Sequence, residues 1–151
     1  MKVYIGADHR GVQYKAKIIK ELEALGLDVI DFGAHDESAS CDYPKVAYKV
    51  ATRVAQSKNA RGVLVCMSGI GQSMAANKVP GSFAALCYNA EAAKLSRQHN
   101  NANVLVLSSK FVKPKELPKI LKIWFSTEFE GGRHRRRVNQ MKKIEKGIPL
   151  N

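Results

Sequence analysis

Apolar residues gather in five short runs, Lys2–Ala7, Leu27–Phe32, Gly62–Cys66, Phe83–Cys87 and Asn103–Leu107. Runs so short, and so rich in Val, Ile and Leu, predict strands covered on both faces. Between the first two, Val12, Ala16, Ile19, Leu22 and Leu25 recur every three or four residues, which predicts a helix with one apolar stripe, ended by Gly26. A second helix is predicted from Val46, Ala47, Val50, Ala51, Val54 and Ala55, with Asp42 as its N-cap and Pro44 in its first turn. Shorter helical stretches are predicted over Gln72–Lys78 and from Pro114 through Trp124. Gly131-Gly132 then punctuates the chain before a basic helix at about 133–146. Strands alternating with helices predict an α/β fold, a parallel sheet of five strands flanked by helices, in one domain spanning residues 1–151.

Composition agrees with that picture. A chain of 151 residues that is 45% hydrophobic can bury one core. Its longest apolar runs, such as Val104–Leu107, fall far short of the roughly 20 residues of a bilayer span. The N-terminus enters the first strand without a basic segment and a hydrophobic stretch, so a cytoplasmic protein is expected. Cys41, Cys66 and Cys87 form no CxxC pair and are expected as reduced thiols. The net charge of +12 suits a phosphate partner, whether nucleic acid or a small phosphorylated molecule. Lys15, Lys17 and Lys20 read as a solvated helix face.

Ligands of such sheets bind outside the carboxyl ends of the strands. There the chain carries Asp8-His9-Arg10, Cys66-Met67-Ser68-Gly69-Ile70-Gly71, Asn89 and Ser108-Ser109-Lys110. The Cys66–Gly71 loop is neither a dinucleotide fingerprint nor a P-loop. Its glycines let the backbone approach a ligand, and its amides can form a nest for an oxyanion. Cys66, at a strand end before a helix N-terminus, is a candidate thiolate with a lowered pKa, or else a small buried hydrophobe. Asp8 and His9 suit a ligand contact or a helix cap equally.

Gly6–Gly11, Asp42-Tyr43-Pro44, the Cys66–Gly71 loop with Ala75-Ala76-Asn77-Lys78, Ser96–Asn100 and Glu130–His134 occur in the order found in one family. Together they resemble type B ribose-5-phosphate isomerase, which shares its fold with galactose-6-phosphate isomerase. The resemblance runs from the first strand to the last helix. It implies a Rossmann-like three-layer sandwich and interconversion of ribose 5-phosphate and ribulose 5-phosphate through an enediolate, a step of the pentose phosphate pathway. It implies no metal or organic cofactor, and a homodimer or dimer of dimers with shared sites.

By the same resemblance, Cys66, Ser68 and His99 are catalytic, Cys66 as the base and His99 as the group that opens the sugar ring. Asp8, His9, Asn100, Lys110 and the loop residues Met67, Ser68, Gly69, Ile70 and Gly71 contact substrate. Arg133 and Arg137, four apart on the last helix, form the phosphate clamp. His99 and Asn100 reach the neighbouring subunit's pocket. Imidazole suits the ring-opening role because its pKa lies near neutrality, although a histidine at a helix end can also simply cap carbonyls. Some relatives place a glutamate where Gln72 stands, and Gln72 cannot accept a proton. The family usually has arginine at Lys110 and glycine at Met67. Isomerisation of allose 6-phosphate or galactose 6-phosphate is the nearest alternative. A nucleic-acid-binding module, motivated by the charge and by Arg133–Arg137, explains neither the thiol nor the glycine loop.

Overall fold

The computed structural model describes residues 1–151. Strands β1 (Lys2–Ala7), β2 (Asp28–Asp31), β3 (Arg61–Cys66), β4 (Ala84–Leu86) and β5 (Val104–Ser108) form one sheet in the order β2-β1-β3-β5-β4. Every neighbouring pair is parallel. The helices are α1 (Val12–Ala24), α2 (Tyr43–Ala55), α3 (Ile70–Ala76), α4 (Ala90–Asn100), α5 (Leu117–Ser126) and α6 (Gly132–Glu145). None is long and apolar enough to cross a membrane.

Strand residues alternate between the two faces, as a period of two requires. Val3, Ile5, Val63, Val65, Leu105 and Leu107 pack with Ile18 and Leu22 of α1 and with Leu121 and Trp124 of α5. Leu64, Val104 and Val106 pack instead with Val46, Val50 and Val54 of α2 and Ala76 of α3. Gly6 and Gly62 let α2 lie directly on the sheet, because a Cβ at either would come within 2.4 Å of Val46 or 2.9 Å of Val50.

Four local expectations change. In α1 the buried residues are Tyr14, Lys15, Ile18 and Leu22, while Ala16 and Leu25 are exposed. Lys15 therefore leaves the solvated face: its ammonium meets Asp31 at 2.7 Å and donates to the Ala34 carbonyl at 2.6 Å. Asp42 stands at the N-cap of α2 without a side-chain capping bond, and its carboxylate instead pairs with Lys45 at 3.2 Å. Helix α3 begins at Ile70, so two loop residues already belong to its first turn.

The sheet order places a switch point between β1 and β3, whose onward connections run to opposite sides. The loops diverge there, opening a crevice at the carboxyl ends of those strands. Asp8 follows β1 and Cys66 ends β3.

Candidate active site

The crevice holds a cavity of about 580 Å³ lined by Asp8, His9, Cys66, Met67, Ser68 and Gly71, with Arg10 and the Cys41–Lys45 segment closing it. Cys66 is buried, and its sulfur accepts the Gly69 amide at 3.1 Å. Gly69 has φ +85°, and a Cβ there would meet Leu86 at 2.4 Å, so only glycine turns this amide onto the sulfur. The Gly71 position is equally confined, since the Tyr43 ring would lie 2.6 Å from an added Cβ.

The β5 end anchors the loop from behind. Ser108 Oγ and the Lys110 amide both donate to the Met67 carbonyl, at 2.5 and 3.1 Å, and the Ser109 amide donates to the Cys66 carbonyl at 3.0 Å. With its carbonyls held there, the loop turns the Gly69, Gln72 and Ser68 amides toward the sulfur. These donors favour a thiolate, but burial outweighs them and pushes the Cys66 thiol above its ordinary value, with the Asp8 charge adding to the rise. The expected lowering by a helix N-terminus is thus overturned in the single chain.

Asp8 does both things its position allowed. Its Oδ1 accepts the Arg10 and Gly11 amides, each at 3.1 Å, while the residue lines the cavity. His9 Nδ1 accepts the Cys41 amide at 3.3 Å, which leaves Nε2 to carry the proton of the neutral ring. Ser68 Oγ accepts the Ile70 amide at 3.2 Å. Met67 finds a partner in Arg10, whose Nη1 lies 3.7 Å from the thioether sulfur. Gln72 turns into the core and donates to the Val65 carbonyl at 2.8 Å, so it contributes nothing to the cavity.

Lys110 does not line the cavity; its ammonium sits 5.6 Å from the centroid of the Phe111 ring. Gly69 shapes the loop from within, and Ile70 lies exposed beside it, both outside the lining. Arg10, Tyr43 and Lys45 do line it, and sequence reasoning had not assigned them. The position of Arg10 directly after Asp8-His9 and the Asp42-Tyr43-Pro44 motif were the available signals.

His99 and Asn100 end α4, which returns from the end of β4 to the start of β5. They stand at the amino edge of the sheet. Cys66 stands at the carboxyl edge, roughly 20 Å away given six residues in β3 at about 3.3 Å each. Around His99 a second group assembles. Its ring stacks on His134 with centroids 4.2 Å apart and planes within 8°. Glu130 Oε2 lies 3.4 Å from His134 Nε2 and 4.0 Å from His99 Nε2. His134 is buried, and burial, then the neighbouring His99 and Arg133, hold its pKa below the usual histidine range. Arg133 and Arg137 are exposed on the same helix. Glu130 and His134, four apart, were not assigned from sequence.

His99, Glu130 and His134 are the residues whose donor atoms approach one another closely enough to consider a cation, within 4.8 Å. Ligands around a tetrahedral ion at about 2.0–2.1 Å stand roughly 3.3 Å apart, so the group would have to contract. The candidate residues thus fall into two groups: a thiol with oriented amides at one edge, and imidazoles, a carboxylate and guanidiniums at the other.

A protein of Mycoplasma pneumoniae named probable ribose-5-phosphate isomerase B is 43% identical over 144 residues, 95% of each chain. Among solved structures, ribose-5-phosphate isomerase B of Clostridium thermocellum superposes with a TM-score of 0.94 at 44% identity, covering 97% of this chain and 99% of that one. The Mycoplasma genitalium enzyme, solved with bound ribulose 5-phosphate, gives a TM-score of 0.92 at 42% identity over 96% of both chains. Residues 3–141 match the model of the Ribose/Galactose Isomerase family. The protein belongs to that family.

Proposed function

We propose that the protein interconverts ribose 5-phosphate and ribulose 5-phosphate in the cytoplasm, at sites shared between two copies of the chain. The observation that carries this is the Cys66 sulfur, which accepts the Gly69 amide at 3.1 Å in the crevice between β1 and β3. A base and an array of oriented donors are what proton transfer next to a carbonyl requires. The family description and the bound ribulose 5-phosphate of the M. genitalium enzyme support the choice of substrate.

The chemistry follows from the residues. His99 of a second copy moves the proton that opens the sugar ring. The Cys66 thiolate takes the proton from C2 of the open aldose, and the electron pair forms the C1–C2 double bond as the carbonyl oxygen becomes O1 of an enediolate. Loop amides and the Ser68 hydroxyl hold O1 and O2. A proton passes from O2 to O1, and the Cys66 thiol returns its proton to C1, giving the ketose. Asp8 and Asn100 hold sugar oxygens, and His9, Arg133 and Arg137 take the phosphate. The roughly 20 Å between the two residue groups far exceeds a five-carbon sugar phosphate, which favours pairing them across a homodimer. Three free thiols suit a reducing compartment.

Proton NMR in D2O tests the proposal directly. Ribose 5-phosphate is expected to convert to ribulose 5-phosphate with solvent deuterium entering the transferred position, without added metal. Faster turnover of allose 6-phosphate or galactose 6-phosphate would move the assignment to a six-carbon substrate. No turnover of any of the three would reject it.

A further inference from the structure

A second cavity, of about 650 Å³, opens at the amino ends of the strands, at the edge of the sheet opposite Cys66. Lys58, Arg61, Arg97 and Lys142 line it, and Glu128 is its only carboxylate. Arg97 is 4% exposed. Both guanidiniums stack on one ring, Arg61 at 5.3 Å and Arg97 at 5.6 Å from the Trp124 centroid. Neither arginine takes part in any of the molecule's ion pairs.

Part of this arrangement is structural. Arg97 donates from Nε to the Thr127 carbonyl at 3.3 Å and from Nη1 to Asn101 at 3.1 Å and to the Ala102 carbonyl, tying the end of α4 to the segment after α5. Arg61 Nη1 donates to the Trp124 carbonyl at 3.1 Å. Those bonds leave Nη2 of Arg97, and Nε and Nη2 of Arg61, without a protein acceptor. A strut explains one buried arginine, but not a cavity that gathers four cations, two of them on one ring, against the single carboxylate of Glu128. Burial and mutual repulsion are severe enough to push the Arg97 guanidinium down to about 10.

We propose that this cavity binds a small phosphate-bearing anion, held by the free guanidinium N–H groups of Arg61 and Arg97, with Lys58 and Lys142 at the rim. Guanidinium forks match phosphate oxygens, and the cavity has the size of an ordinary small-molecule site. The site is separate from the crevice at Cys66 and shares none of its lining residues.

Trp124 is the only tryptophan and lies beneath both arginines, so its fluorescence reports on this cavity. The test titrates the protein with pyrophosphate at ionic strength held constant with chloride, following Trp124 emission and, in parallel, calorimetric stoichiometry. A saturable change is expected. Arg61→Gln should weaken it by about tenfold or more, the worth of a charge-assisted bond, while Lys17→Gln, exposed and outside both cavities, leaves it unchanged. Should Arg61→Gln misfold, Lys58→Gln with Lys142→Gln, both exposed, should weaken binding by at least about threefold. Titration with inorganic phosphate and ribose 5-phosphate distinguishes a site for phosphate itself from one that also grips an organic tail. No saturable signal by either method, or binding unchanged in the cavity variants, overturns the proposal.

Discussion

If one site draws Cys66 from one copy and His99 from another, two inactive variants should rescue each other. Cys66→Ala removes the base and keeps His99, and His99→Asn does the reverse. Each alone should lose about 10²–10⁴-fold in kcat, the usual contribution of a positioned acid or base. In a mixed dimer, one site pairs the intact thiol with the intact imidazole and the other combines both lesions. Random exchange of equal amounts gives about half mixed dimers, so roughly a quarter of wild-type activity should return. The assay dissociates and recombines the two variants, confirms exchange by native mass spectrometry and measures ribose 5-phosphate turnover. A site completed within one chain cannot produce this recovery, because no chain in the mixture carries both residues. Confirmed mixed dimers no more active than the starting variants would refute the shared site. They would also require the roughly 20 Å between Cys66 and His99 to close within one chain.

Four further outcomes follow from the geometry. Because the Asp8 charge helps push the Cys66 thiol up, Asp8→Asn should move the alkylation midpoint to lower pH, measured with iodoacetamide in a Cys41→Ser background; Cys87, buried and pushed up to about 11, reacts last, and an unmoved or higher midpoint refutes the coupling. Wild-type kcat/KM should accordingly rise with pH from neutrality, since only the thiolate accepts the C2 proton. Gly69→Ala combines a φ of +85° with a 2.4 Å clash at Leu86 and should lower Tm by roughly 2–10 °C, for a cost of about 1–3 kcal/mol. Gly147→Ala meets nothing within 4 Å at φ +69° and should cost less, so an equal loss would remove the steric explanation. Lys15→Met leaves Asp31 with only the Gly33 amide and the exposed His35 ring and should cost about 2 kcal/mol in urea unfolding, whereas Lys17→Met should stay within about 0.5 kcal/mol; equal effects would deny the buried pair any role.

The five strands were legible because each is a short apolar run, whereas which residues face which helix layer emerged only from the packing. Helix α1 was legible as a helix but not in its phase. Its buried face includes Lys15, whose partner Asp31 lies across the connection to the sheet, so a hydrophobic stripe alone points to the wrong side. The loop around Cys66 was legible from its glycines, whereas the direction of the thiol's shift depends on burial, which periodicity does not carry. Lys110 was placed at the pocket by resemblance, yet here its ammonium rests against Phe111. Glu130 and His134 sat inside a recognised motif. Their pairing with His99 became visible only once α4 and α6 packed together.

The raised thiol and the division of the site have a common origin. Within one chain the surroundings of Cys66 offer amides and the negative Asp8, and burial dominates, so the thiol stays protonated. Arg10 and Lys45 line the same cavity, while two further cations, Arg133 and Arg137, stand on α6 near His99 of α4. If two copies share a site as proposed, assembly would bring those positive charges toward the sulfur, and their attraction would work against a further loss of hydration that itself raises the thiol. In the proposed shared site, the contact that completes the ring-opening and phosphate groups would also move Cys66 toward the thiolate wherever that attraction outweighs the added burial. Under that proposal an unassembled chain would keep its sulfur protonated, and the base would become competent where substrate is held.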